Sequence, residues 1–370
     1  MKPLIPPKAF LFLFSPFFLA PNVLLAQTVV APPAVASKPD AAPLVPGPKP
    51  PDAPAEWKRF VGIYKYKSYE AKYNETVIIL ERGQRPYMRH ASGMEEEISF
   101  DLQLKMMFVP DPAKGNWGYE IIEEPGEPAL FTYLNEGFSR TDAGSDPSRF
   151  YHITPSKPIA ELRAEALAAK PPFETKPFRQ PDLVELVTLD PAIHLDIRYA
   201  QSNNFLSTPI YTQARAFMQR PAAEALVRVS HKLQPLGYGL LIHDAYRPWY
   251  VTEIFWDATP PEGKQFVADP QKGSKHNRGC AVDLTLYELA TGNPAEMPGL
   301  YDEMSPRSFP TFPGGTSLER WNRELLRRAM ESEGFTVNES EWWHFDHRDW
   351  RYYQILNVPF EDVRRGGKPT

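Results

Sequence analysis

The sequence predicts an α+β chain: a small all-β barrel or sandwich module, then a larger domain in which helices pack on an antiparallel sheet. Three observations predict it. Short β-branched or aromatic runs, punctuated by Gly, Pro or Asp, crowd residues 56–155. Beyond about residue 181 the pattern changes to amphipathic helical stripes alternating with compact apolar strands. The chain has 370 residues, 42% hydrophobic and 13% aromatic, which suffices for two buried cores and argues against wholesale disorder.

Charge and cysteine content narrow the function. Net charge is −5, from 41 basic and 46 acidic residues. With no basic excess to neutralise phosphates, no nucleic-acid partner is expected. Cys280 is the sole cysteine, which excludes an intramolecular disulfide, a Cys-rich zinc finger and an iron–sulfur cluster. Of 41 prolines, 14 fall in residues 1–56, so the excess describes a leader and a tether. Lys2 and Lys8 precede an apolar run, Ala9 to Ala20, followed by Val23-Leu24-Leu25-Ala26. That is the layout of a signal peptide over residues 1–26. Pro16 and Pro21 interrupt the run, and it is shorter than the roughly 20 residues a span needs, so no stable membrane span is expected. The mature protein is expected to be exported, periplasmic or secreted. Residues 27–55, rich in Ala and Pro, read as an extended linker.

Within the β module, strands are expected at Glu75–Leu80, Glu97–Phe100, Met106–Val109, Tyr119–Ile122 and Phe131–Leu134. Trp57, Tyr64, Tyr66, Phe100, Trp117 and Tyr133 read chiefly as core, with a binding cleft as the alternative. His90 and His152 stand alone, without partners at ligand spacing, and read as surface residues. A polar, Pro-containing linker is expected over 156–180. In the domain that follows (181–370), Arg220-Pro221 opens a helix and Gly239–His243 is a buried strand. Ser317–Glu333 is a second helix stopped at Gly334, and Phe335–Val337 and Trp342–Phe345 are strands.

Three clusters in this domain combine metal ligands with acid–base groups. In Ser274-Lys275-His276-Asn277-Arg278-Gly279-Cys280-Ala281-Val282-Asp283, Asn277-Arg278-Gly279 can turn the chain before a strand carries Asp283 among apolar neighbours. A carboxylate there is costly unless paired, and a divalent cation would pair it. In Glu341-Trp342-Trp343-His344, an imidazole and a carboxylate lie three apart in an aromatic setting. His276, Asp283 and His344 together make three protein ligands, which leave one position open, as in catalytic rather than structural zinc sites. Glu341, beside a ligand, is then the natural general base. In Asp244-Ala245-Tyr246-Arg247-Pro248, an always-charged arginine ends a strand, where it can stabilise an oxyanion.

These motifs, with Leu195-Asp196-Ile197-Arg198-Tyr199-Ala200, Asn203-Asn204-Phe205 and Val282–Leu286, resemble the zinc D-alanyl-D-alanine dipeptidases of the vancomycin-resistance type, over about residues 181–362. The resemblance implies a zinc D,D-peptidase-like α+β fold with one Zn2+ per chain, held by His276, Asp283 and His344. It implies Glu341 as base, Arg247 at the transition state, Ser274 near the substrate and Glu296 on the substrate's ammonium, with Asp302 as a nearby rival. Cys280 is expected to pack. His347 is an alternative ligand if the register differs, His243 is a supporting or solvent-facing residue, and His194 and His231 are structural or exposed. The function implied is hydrolysis of a small D,D-dipeptide, D-Ala-D-Ala, in cell-wall peptide metabolism. The alternatives are a D,D- or L,D-carboxypeptidase acting on longer muropeptides, or a non-catalytic peptidoglycan-binding protein; the β module is the candidate for any peptidoglycan contact.

Overall fold

The computed structural model describes residues 43–67, 75–111, 113, 115–123, 129–134, 136–142 and 151–363. The expected leader and the first part of the expected linker lie outside the described residues. No helix among the described residues is long and apolar enough to cross a membrane.

The first unit of structure begins with a short helix, α1 (Ala55–Lys58), and a nine-stranded sheet. Its strands are β1 (Gly62–Lys67), β2 (Glu75–Arg82), β3 (Arg85–Arg89), β4 (Glu95–Glu97), β5 (Ser99–Asp101), β6 (Met106–Asp111), β7 (Gly115–Ile122), β8 (Leu130–Tyr133) and β9 (Glu136–Arg140). All neighbours are antiparallel, in the order β4-β3-β2-β1-β9-β8-β7-β6-β5. The two edge strands are consecutive in the chain, separated by Ile98, so the sheet curls into a nearly closed barrel. The expected strand Glu97–Phe100 is therefore broken at Ile98, whose buried side chain enters the core while its N–H donates to Pro86 O at 3.1 Å. Strands β1, β3 and β9 were not expected, because Tyr-Lys-Tyr-Lys and Arg-Pro-Tyr-Met-Arg carry few apolar residues.

Alternation fills the barrel. Val77 and Ile79 of β2 point inward beside Phe60, Tyr64, Met88, Met107 and Phe131. Trp57 and Tyr64 are core, with Tyr66 and Phe100 partly buried against it, whereas Trp117 and Tyr133 lie on the outside, edge to face at 5.7 Å. His90 is not alone: its Nε2 lies 2.6 Å from Glu96 Oε1 and its Nδ1 3.2 Å from Glu75 Oε2.

The second unit carries a five-stranded sheet in the order β11-β13-β14-β16-β15: β11 (His194–Leu195), β13 (Tyr238–Asp244), β14 (Ala281–Glu288), β15 (Phe335–Asn338) and β16 (Glu341–His347). The expectation of an antiparallel sheet is corrected at one edge, where β11 runs parallel to β13. A separate two-stranded ribbon pairs β10 (Leu183–Glu185) with β12 (Phe217–Gln219). Helices α2 (Ile159–Ala168), α3 (Leu186–Leu189), α4 (Arg220–Leu233), α5 (Trp249–Ala258) and α6 (Ser317–Glu331) complete the unit. α4 starts with Pro221 in its first turn and buries Leu226, Val229 and Leu233. A capping box starts α6: Thr316 Oγ1 accepts from Glu319 N, and Glu319 Oε2 accepts from Thr316 N. Helix α2 falls where a linker was expected. Its run of Ala, Glu, Leu and Arg after Pro158 favours helix, and Leu162 and Ala166 are buried where α2 packs on α5.

The expected linker also differs after residue 43. Trp321 Nε1 donates to Gly47 O at 2.9 Å, Arg328 Nη1 donates to Pro43 O at 3.1 Å, and Ala53 is buried. Side chains of α6 thus occupy carbonyls that a free tether would expose. The barrel packs against the same helix. Glu81 of β2 is fully buried, accepting from Gln84 N at 2.6 Å and Ser317 N at 2.5 Å, while Arg320 Nη2 donates to its carbonyl at 2.7 Å. Leaving such buried donors unpaired costs about 1–3 kcal/mol each, so Glu81 is a strong local tie.

Burial alone would lower the His90 pKa, but the bonds to Glu96 and Glu75 outweigh it and hold the imidazole above 6.5. Its pKa is raised on folding, so its stabilisation is complete below the unfolded value and fades as pH rises through the folded one. NMR titration should find His90 above its ordinary value. Unfolding midpoints at about pH 6 and about pH 9 should differ less in His90→Gln than in the wild type.

Candidate metal centre and active-site cavity

Register in the five-stranded sheet assembles the site. Asp283 of β14 lies opposite Asp244 of β13 on one side and His344 of β16 on the other. Opposed residues of antiparallel strands project from the same face, so the three form a row. A bulge between Ile242 and Asp244 sets the register that puts Asp244 in it. His276 comes from outside the sheet, on the short turn His276–Arg278, which reverses at Gly279 with φ +67°. A Cβ at Gly279 would also lie 2.6 Å from Leu183 Cδ2, so both backbone and space require glycine.

Three atoms converge. His276 Nε2 is 3.1 Å from His344 Nδ1 and 3.3 Å from Asp283 Oδ1, and His344 Nδ1 is 3.1 Å from the same oxygen. The opposite ring nitrogens decide the tautomers. His276 Nδ1 lies 2.6 Å from Ala245 O, which can only accept, so Nδ1 carries the proton. His344 Nε2 lies 2.9 Å from Asp346 Oδ1, whose other oxygen is 2.9 Å from Lys275 Nζ, so Nε2 carries the proton. With both rings neutral, two imidazole lone pairs and a carboxylate oxygen face one another, and Asp283 Oδ1 is buried with no hydrogen bond from any other group. Burial lowers the His344 pKa, but Asp346 and Asp283 raise it well above its ordinary value, so the cluster favours a positive charge. Bonds of about 2.0–2.1 Å to a tetrahedral ion would separate ligand atoms by about 3.3–3.4 Å, close to the spacings found. The donor set fits a divalent cation.

The other oxygen of Asp283 is occupied. Tyr301 OH donates to Oδ2 at 3.1 Å, and Arg247 Nη2 is 3.5 Å from it. Arg247, at the turn from β13 into α5, is held by Asp244 through Nε and Nη2, each 2.8 Å from Oδ2, and lies over Phe255 and Tyr199 at 4.8 and 5.4 Å. Tyr211 OH donates to Asp244 Oδ1 at 2.7 Å, so the guanidinium is fixed.

On a regular strand Glu341 and His344, three apart, would face opposite ways. The register between β15 and β16 shifts after Val337, and this irregularity turns Glu341 towards His344, leaving Oε2 3.6 Å from Nδ1. Asn338 Nδ2 donates to the same oxygen at 3.0 Å, and burial pushes the Glu341 carboxyl up to about 7. Glu341, Asn338, Arg247 and the three ligand candidates line a cavity of about 220 Å3, together with Phe205, Phe255 and Trp343. That is below the ~300–1,000 Å3 typical of pockets for drug-sized ligands, so a smaller molecule is the better fit. Ser274 lines it too, with Oγ accepting from His276 N at 3.2 Å.

Glu296 does not line this cavity. It follows the turn after β14 and points at α1, where Lys58 Nζ is 2.5 Å from its Oε2. Asp302 lines it instead: Tyr199 OH donates to Oδ1 at 3.0 Å, while Oδ2 is buried with no hydrogen bond and φ is +59°. His347 lies outside the cluster, accepting from Asp349 N. His243 lies tilted against Tyr301 at 4.6 Å, and Cys280 is buried, its thiol pushed up by burial. Sequence reasoning missed Asp346, Asn338, Tyr199 and Tyr301 as contributors. Asp346 was accessible, two residues after His344 on one strand; the others are brought in by loops and strand irregularity.

Known proteins resemble the C-terminal half of the chain. Residues 179–363 match the D-Ala-D-Ala dipeptidase family, so the barrel lies outside the match. The D-alanyl-D-alanine dipeptidase of Escherichia coli (strain K12) is 37% identical over 179 residues, covering 48% of this chain and 91% of the relative. The enzyme of that name from Enterococcus faecalis is 34% identical over 199 residues, covering 47% and 93%. That from Streptomyces coelicolor is 34% identical over 171 residues, covering 41% and 85%. With half of its length matched and these relatives covered nearly end to end, the chain belongs to the D-Ala-D-Ala dipeptidase family of metallopeptidases.

Proposed function

We propose that this chain hydrolyses the peptide bond of D-Ala-D-Ala with one zinc ion per chain, held by His276 Nε2, Asp283 Oδ1 and His344 Nδ1. The observation that carries the proposal is the convergence of those three ligand atoms beside Glu341, in a cavity that also holds Asp302, whose Oδ2 makes no hydrogen bond. Two imidazoles and a carboxylate suit zinc, which when bound would polarise the scissile carbonyl and acidify water.

The remaining work falls to the chain's own groups. Asp302 Oδ2 receives the dipeptide's ammonium while Tyr199 OH holds Oδ1. Burial keeps this carboxyl well above its usual range, and an arriving cation supplies the charge that lets it ionise. Asp302 takes this role rather than Glu296 because it lines the cavity. A carboxyl near 7, Glu341 is poised to take a proton from the attacking water and return it to the leaving amine nitrogen. Arg247, its charge fixed by Asp244, faces the negative charge that develops on the carbonyl oxygen. Ser274 lies beside the substrate, and Phe205, Phe255 and Trp343 exclude water. The leader-like N-terminus supports action outside the cytoplasm, on D,D-dipeptides of cell-wall origin.

Glu341→Gln should retain zinc, by metal analysis, and lose turnover by ~10² or more. A chain that needs the ammonium should release D-alanine from D-Ala-D-Ala and not from its N-acetyl derivative. Equal cleavage of both would instead favour a carboxypeptidase acting on longer muropeptides.

A further inference from the structure

We infer that Tyr301 is a positioning residue for the metal site: its hydroxyl holds Asp283 Oδ2 so that only Oδ1 is offered to the cation. The inference rests on the metal assignment above and concerns a residue that the candidate motifs do not contain.

The two oxygens of Asp283 stand in different surroundings. Oδ2 accepts the Tyr301 hydroxyl at 3.1 Å and has Arg247 Nη2 at 3.5 Å. Oδ1 makes no hydrogen bond and lies 3.1 and 3.3 Å from the two imidazole lone pairs. A carboxylate free of such partners can bind a metal through one oxygen or both. A donor on Oδ2 removes the second option and keeps the ligand count at three, which preserves the open coordination position a catalytic site needs.

The hydroxyl is itself held in place. Its ring is buried, tilted against His243 at 4.6 Å and edge to face with Trp343 at 5.5 Å. The next residue, Asp302, has φ +59°, a conformation rare for a residue with a Cβ. That twist sends consecutive side chains to different tasks: Tyr301 to the metal ligand, Asp302 to the Tyr199 hydroxyl at the cavity wall. Leu300 N, just before them, donates to Glu303 Oε2 at 2.9 Å, which closes the loop on itself.

The test is the zinc affinity of apo wild type and Tyr301→Phe, measured by competition with a chromophoric chelator, alongside the visible spectrum of the cobalt-substituted forms. Loss of a hydrogen bond to a ligating carboxylate typically weakens metal binding by ~10–100-fold, and that loss is expected here, with a changed cobalt spectrum. p-Aminophenylalanine at position 301 keeps a donor in the same place and should restore both. Affinity within about twofold of wild type, with an unchanged cobalt spectrum, overturns the inference. Failure of the wild type itself to bind zinc stoichiometrically would instead overturn the metal assignment. Should Tyr301→Phe not fold, a crystal structure of the zinc-loaded wild type decides: Asp283 bound through Oδ1 alone supports the inference, and a bidentate Asp283 overturns it.

Discussion

Asp283 sits mid-sheet and buried, one oxygen tied to Tyr301 and the other aimed at the lone pairs of His276 and His344. A buried carboxylate beside two imidazoles holds a positive charge there, and a metal ion can supply it in place of the proton that Asp346 and Asp283 favour on His344. Much of the domain's polar architecture serves this one arrangement. Ala245 O and Asp346 hold the outer ring nitrogens of His276 and His344, and Lys275 pairs with the far oxygen of Asp346. Asp244 and Tyr211 hold Arg247 against the same carboxylate.

The sheet supplies the precision and the loops supply the variety. Three paired strands fix Asp244, Asp283 and His344 to one another through backbone hydrogen bonds, while His276, Ser274, Tyr301 and Asp302 arrive on turns. The turns are themselves tied down. Asn277 Nδ2 donates to Arg247 O and to Thr252 Oγ1, joining the His276 turn to the start of α5. The barrel contacts the same side of the molecule through two residues that flank the Tyr301–Asp302 loop: Lys58 with Glu296, and Asp142 with the buried Arg307 at 3.5 Å.

Much of the candidate site is legible in the sequence, because His276, Asp283, Glu341, His344 and Arg247 fall in compact motifs whose chemistry is local. The turn at Asn277-Arg278-Gly279 followed from glycine's conformational freedom, and the buried strand around Asp283 from its apolar neighbours. Glu296 lies outside the cavity that Asp302 lines, because spacing alone cannot tell which of two loop carboxylates turns inward; Glu296 is instead drawn to the distant Lys58. Tyr301 was illegible for the same reason. In the barrel, strands with alternating Lys and Tyr carried too little apolar signal, and the break at Ile98 reflects closure of a sheet whose edges meet only in three dimensions. Ile159–Ala168 is helical although the prolines around it read as linker.

The central claim is that His276, Asp283 and His344 bind a single ion in a site with no sulfur and an open position. X-ray absorption at the zinc edge of the stoichiometrically loaded protein tests it most directly. The account predicts a shell of about four nitrogen and oxygen neighbours at about 2.0–2.1 Å, with the multiple-scattering signature of two imidazoles that is lost by one ring in His344→Ala. A sulfur neighbour at about 2.3 Å, or an oxygen-only shell unchanged by that substitution, would contradict it.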